Sequence, residues 1–194
     1  MQKNYLFILA GVVVAVLVIG AVFLFGRQDN SLPQSASDTK TANDARPDTA
    51  NTKKNDLVET LGALTLTDFQ GMPVHLADFS GKPLIVNSWA VWCPFCRKEL
   101  PDFAALQKEL GDRVAVIAID RQESRETAKG YADELGIADN MIFLLDPSDS
   151  FYRAIGGFSM PETVFINSDG AIVFHKRGPM TLEEMQATVT QYLP

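Results

Sequence analysis

The chain has 194 residues, with 17 Lys and Arg against 24 Asp and Glu, a formal net charge of −7 and a pI near 4.8. A 46% hydrophobic and 9% aromatic content suits a packed core and excludes wholesale disorder. The acidic balance excludes the basic footprint that general nucleic-acid binding needs. Two cysteines, Cys93 and Cys96, and two histidines, His75 and His175, are too few for a disulfide scaffold or a zinc site, so no metal is expected.

The first segment, 1–26, reads as a membrane anchor. Between Lys3 and Arg27 the 23 residues Asn4–Gly26 carry no charge and are nearly all Val, Leu, Ile, Phe, Ala or Gly. As a helix they reach roughly 35 Å, enough for a hydrocarbon layer of about 30 Å. A cleaved secretory signal is the competing reading, but the apolar run is long for one and no A-x-A site follows it. Lys3 and the amino terminus before the span, set against Arg27 and Asp29 after it, favour an inside amino terminus by a small margin, which places the rest of the chain outside the cytoplasm, in a periplasm or at the cell exterior. Residues 27–55 follow as a flexible tether, rich in Ser, Thr, Asn, Asp and Ala, with Leu32 the one large apolar residue. Residues 56–194 form the working domain, with 11 Lys and Arg against 20 Asp and Glu, a net charge of −9.

Within that domain, strand-length apolar runs alternate with amphipathic stretches. Leu64–Thr67 and Val74–Leu76 flank the turn Gln70-Gly71 and predict a hairpin. Pro83–Trp89 suits a buried strand, and Pro94–Leu110, ended by Gly111, a helix. Val114–Asp120 predicts a second buried strand, Ser124–Leu135 a helix capped by Ser124, Met141–Leu145 a strand and Asp149–Ile155 a short helix. Thr163–Ile166 and Ala171–His175 predict a hairpin over Asn167–Gly170, and Thr181–Tyr192 a closing helix with Glu183 and Glu184 in its first turn. The alternation implies an α/β three-layer domain with a mixed sheet.

The chemistry concentrates in Trp89-Ala-Val-Trp-Cys-Pro-Phe-Cys96. A buried strand ends there and a helix begins at or just after Cys93. Free N–H groups and the positive end of the helix dipole favour a thiolate at Cys93, the expected nucleophile toward a partner disulfide. Cys96, one turn deeper, would resolve the mixed disulfide. Two blander readings compete. A purely structural disulfide is a poor one, because so short a loop removes little unfolded-state entropy. A reduced, buried pair is disfavoured beside Trp89 and Trp92, which read as core and rim of the site.

These residues resemble the thioredoxin-like thiol-disulfide oxidoreductases, and in particular their membrane-anchored TlpA/ResA-like branch. The likeness runs from Leu64 to Tyr192. It includes Leu76-Ala-Asp-Phe-Ser-Gly-Lys-Pro83, the Trp92-Cys-x-x-Cys96 run, Lys98-Glu99-Leu-Pro101, Leu145-Asp-Pro147, Tyr152-Arg-Ala-Ile-Gly156 and Met160-Pro161-Glu-Thr163. It implies a thioredoxin-like three-layer fold with an N-terminal hairpin and an inserted strand–helix element, preceded by one transmembrane helix. Pro161 matches the family's cis-proline, which lies beside the cysteines and presents an edge to partner peptides. Glu99 matches a glutamate held near the cysteines; lying three residues after Cys96, its carboxyl would exchange protons with that sulfur, against the plainer reading of a solvated helix glutamate. Asn87 stands six residues before Cys93, where plain thioredoxins carry a proton-accepting aspartate, a role asparagine cannot take. Pro101 inside the helix implies a kink.

The departures bear on specificity. Pro94-Phe95 between the cysteines replaces the branch's usual second-position proline, Met160 replaces a small or β-branched residue before the cis-proline, and Ser88 stands where an aromatic is common. Trp92, Pro94, Phe95, Met160 and Pro161 are the candidate substrate rim. His75 and His175 are read as structural.

The implied activity is exchange of disulfides with cysteine-containing client proteins, in the reductive direction of cytochrome c maturation, with electrons from a membrane thiol carrier and no cofactor. A disulfide-forming oxidant, a thiol peroxidase and a non-enzymatic tethered binding module remain as alternatives.

Overall fold

The structure, a computed structural model, describes residues 59–193. The expected anchor at 1–26 and tether at 27–55 lie outside the described residues.

After a helical turn at 59–62 the chain forms the hairpin β1 (Thr65–Asp68) and β2 (Pro73–His75), antiparallel with Leu66 opposite Val74. Gly71 takes φ 84° in the turn, a conformation open to glycine, while the Asp68 carboxylate accepts from Gln70 N and Met72 N. A 3-10 turn at Leu76–Phe79 then leads to β3 (Leu84–Trp89), α1 (Pro94–Leu110), β4 (Ala115–Arg121), α2 (Arg125–Glu134), β5 (Ile142–Asp146), α3 (Ser150–Ala154), β6 (Glu162–Ile166), β7 (Ile172–Arg177) and α4 (Leu182–Tyr192). Among the described residues the expected elements all occur, with ends displaced by a residue or two.

The strands form one seven-stranded mixed sheet in the order β2-β1-β5-β4-β3-β6-β7. β3, β4 and β5 are parallel, and β1, β6 and β7 run antiparallel to their neighbours β5, β3 and β6. The two parallel crossovers step the same way across the sheet, and right-handed connections therefore put α1 and α2 on one face. Their buried side chains share a core with α4: Leu100, Phe103 and Leu106 from α1, Tyr131 from α2, and Met185 from α4, against Ile85, Trp89 and Phe143 of the sheet. On the other face Phe151 and Ile155, in and just after α3, pack with Leu61, Leu76, Val86 and Ile117. α2 and β5, inserted between β4 and α3, add a helix and a parallel strand beyond β4, as the inserted element requires.

Local chemistry sets the ends. Ser124 Oγ accepts from Thr127 N at 3.1 Å to start α2, and Thr181 with Glu184 forms a reciprocal capping box on α4. The α1 C-terminus is tied to β4 by Gln107, which donates to Gly111 O and accepts from Val116 N at 2.7 Å. Pro101 sits inside α1, which continues through it.

Phe103 is fully buried at the centre of the α1-side core. Phe103→Ala is expected to lower stability by about 3–5 kcal/mol in denaturant unfolding, the usual cost of a large cavity. A loss below about 1 kcal/mol would mean that this core is not packed as described.

Candidate active site at the amino terminus of the first long helix

β3 is buried along all six residues, and its last one, Trp89, is covered by Tyr131 and Phe143. The chain then turns over Ala90–Trp92, closed by Cys93 N donating to Ala90 O at 3.1 Å, and Cys93 caps α1. Pro94 is the first helical residue, a position where its missing N–H has no partner to lose. Cys93 and Cys96 are joined as a disulfide across a Cα separation of 5.3 Å. Cys96 N donates to Cys93 Sγ at 3.2 Å, so a backbone donor at the helix start already points at the sulfur expected to carry the thiolate.

Both cysteines are buried, at 2% and 0% exposure, but their surroundings open outward on one side. Trp92 is 63% and Phe95 53% exposed, and Pro94 also faces solvent. β6 pairs antiparallel with β3, Thr163 opposite Asn87 and Glu162 opposite Ser88, so its start lies beside the end of β3 and the turn into Cys93. The residue before β6 is Pro161, and its bond to Met160 is cis. Pro161 is buried, Met160 is half-buried and packs against the α1-side core, and Phe158, which the sequence reading did not single out, is 85% exposed. The loop is held by Glu162 Oε1, which accepts from Phe158 N at 2.6 Å and Ser159 N at 2.7 Å, and by Tyr152 Oη donating to Ser159 O. His175 Nε2 pairs with Glu162 Oε2 at 2.6 Å, and His75 Nδ1 meets Leu64 O at 3.1 Å, in line with structural roles for both histidines.

Glu99 is not a solvated helix residue. It is 2% exposed, one turn beyond Cys96. Its Oε1 accepts from Asn87 Nδ2 at 2.7 Å and its Oε2 from Met180 N at 3.0 Å. Burial raises its pKa to about 7, against the opposing pull of those two hydrogen bonds. Asn87 thus has a positive role that its comparison with aspartate concealed. Its Nδ2 suits an ionised Glu99, and its Oδ1, buried without a partner, would accept the proton of a neutral Glu99 if the amide turned over. An aspartate there would set two carboxylates against each other. The sequence signal was present as a lone Asn inside an apolar strand, but its partner comes from another element, and the Met180 N–H from a third.

The fold and this site define a thiol-disulfide oxidoreductase of thioredoxin-like architecture. The chain belongs to the Redoxin family, whose pattern it matches over residues 41–193. It is 30% identical over 125 residues to the thioredoxin-like protein YneN of Bacillus subtilis, covering 63% of this chain and 72% of that one. To the thiol-disulfide oxidoreductase ResA of Bacillus thuringiensis it is 25% identical over 130 residues, covering 66% and 74%. A secreted Mycobacterium tuberculosis disulfide oxidoreductase homologous to E. coli DsbE superposes with a TM-score of 0.62 at 23% identity, covering 69% and 98%, and this likeness shows the fold.

A raised carboxyl pKa means that the unfolded chain loses its proton first. Stability conferred by neutral Glu99 is complete below about pH 4.5 and is lost as pH rises toward about 7. Glu99→Gln, which cannot ionise, is expected to flatten that decline and to unfold less readily at pH 8, by up to about 3 kcal/mol before any lost hydrogen bond is counted. Denaturant midpoints across this pH range check it, and parallel curves for the two proteins would refute a raised pKa at Glu99.

Proposed function

We propose that the chain is a membrane-tethered, extracytoplasmic dithiol reductant of client proteins, of the cytochrome c maturation type, recharged by a membrane thiol carrier. The apolar, uncharged run at Asn4–Gly26 supports the tether, and the likeness to the thiol-disulfide oxidoreductase ResA supports the class of chemistry. The observation that carries the direction is the buried Glu99 carboxyl one helical turn past Cys96, held by Asn87 and the Met180 N–H. When ionised it opposes a thiolate at Cys96, which raises the free energy of the reduced pair and so lowers its reduction potential.

In the reduced protein the Cys93 thiolate attacks one sulfur of a client disulfide. An S–S bond forms between Cys93 and the client, and the client's other sulfur leaves as a thiolate. Cys96 then gives its proton to Glu99 and attacks Cys93 Sγ. The internal disulfide forms, the client's second sulfur leaves, and two electrons have passed to the client. Trp92, Pro94, Phe95, Met160 and Pro161 are the surface on which the client strand rests, and the exposed Phe158 extends it.

Two measurements test this reading. The potential of the Cys93–Cys96 couple is expected near the thioredoxin end of the scale, about −270 mV, and a value near −120 mV would overturn the reductive direction in favour of a disulfide-forming oxidant. Cys96→Ser, unable to resolve, is expected to accumulate mixed disulfides through Cys93 with extracytoplasmic proteins of its host. A variant that traps no partner would count against disulfide exchange with protein clients.

A further inference from the structure

Another buried carboxyl lies on the same face of the sheet as Glu99. Asp120, the penultimate residue of β4, is 1% exposed and pairs in register with Trp89 at the end of β3. Its Oδ1 accepts from Glu123 N at 3.2 Å, while its Oδ2 is buried with no partner. The chain between them turns through Gln122, whose φ of 61° folds the Glu123 side chain back toward Asp120. Glu123 in turn reaches the active-site turn, where its Oε2 accepts from Val91 N at 2.7 Å. Val91 is two residues from Cys93, and this bond ties the Ala90–Trp92 turn to the segment that follows β4.

An orphaned carboxylate oxygen in an apolar core is costly, and so are two carboxylates facing each other. One proton removes both costs. We propose that Asp120 is protonated on Oδ2 and donates to the Glu123 carboxylate, and that this acid pair is a positioning device, which holds the Val91 N–H and through it the turn that presents Cys93 and Trp92 to the client. Asp120 is a positioning residue; it does not touch the reacting sulfurs. Burial and the facing Glu123 raise its pKa to about 8. Loss of the proton at higher pH leaves two anions in contact, pushes Glu123 away and slackens the turn.

Few other charges act there. The register neighbours of Asp120 on β3 and β5 are Trp89 and Leu145, neither of which titrates. From α2, Tyr131 packs on Trp89, and from α1 the Arg97 guanidinium lies 4.8 Å from the centre of the Tyr131 ring. Arg125, at the start of α2, reaches toward Gly71 in the β1–β2 turn. Cys93 and Cys96 titrate only when reduced.

The test therefore uses the oxidised full-length chain, in which the cysteines are silent. Carboxyl-carbon NMR is expected to show Asp120 titrating between about pH 7 and about pH 9, with the Val91 amide shift moving over the same range. Asp120→Asn supplies a permanent donor to Glu123, so its Val91 amide shift is expected to stay constant there. Asp120→Ala lacks the donor and is expected to show a displaced Val91 shift at every pH. The ratio of the phosphine reduction rates of the native chain and Asp120→Asn, in which the reagent's own ionisation cancels, is expected to change by about tenfold across the alkaline step, since displacements at a reacting centre have effects of at least that size. Titration of Asp120 in the ordinary acid range would overturn the proposal, whether or not either variant folds. So would an Asp120→Asn protein that retains the alkaline step in the Val91 shift.

Discussion

Everything at the site hangs from β3. It is hydrogen-bonded along both edges, to β4 in parallel and to β6 in antiparallel register, and it is buried on both faces. A strand so confined cannot slip, because a one-residue shift would turn Asn87 and Trp89 to the face now held by Val86 and Ser88. Its fixed end delivers Cys93 to the first turn of α1. Its β6 edge brings Pro161 alongside, and its β4 edge brings Asp120 opposite Trp89. Asn87, on the same face as Trp89, reaches Glu99 on the helix above.

Two opposing electrostatic settings occupy the first two turns of α1. At Cys93 the helix amino terminus and the Cys96 N–H favour negative charge on sulfur. One turn along, Glu99 sits in an apolar surround that leaves its proton nearly balanced at neutral pH. In the proposed mechanism the first sulfur is thereby a ready nucleophile, and the second keeps its proton until a carboxylate takes it. Asn87 makes this workable, since a buried amide can present either a donor or an acceptor and so tolerates both states of Glu99. The Asp120–Glu123 pair acts on a different object, the backbone of the turn, and so separates the placement of the nucleophile from its ionisation.

Much of the architecture was legible from local pattern. The bounds of α1 follow from Pro94 at its start and Gly111 after its end, and Ser124 and Thr181 cap α2 and α4 as their side chains allow. The CxxC motif and Met160-Pro161 were visible as landmarks. Other features were not. Glu99 was singled out by the resemblance and by its spacing from Cys96, but its burial was not legible, because the cover and the Met180 N–H come from the loop leading into α4. Phe158 has no periodicity to mark it, and its exposure depends on how Glu162 and Tyr152 tether its loop. Asp120 ends an apolar run and reads as a strand terminus, although it is buried because α2 and β5 extend the core beyond it.

The sequence by itself determined the alternation of strands and helices, the single dithiol at a helix start and the acidic character of the domain, because these depend on neighbours along the chain. Only the tertiary structure decided which carboxyls lose contact with water. Glu99 and Asp120 are ordinary acids in one dimension. Burial by elements distant in sequence raises their pKa values to about 7 and about 8.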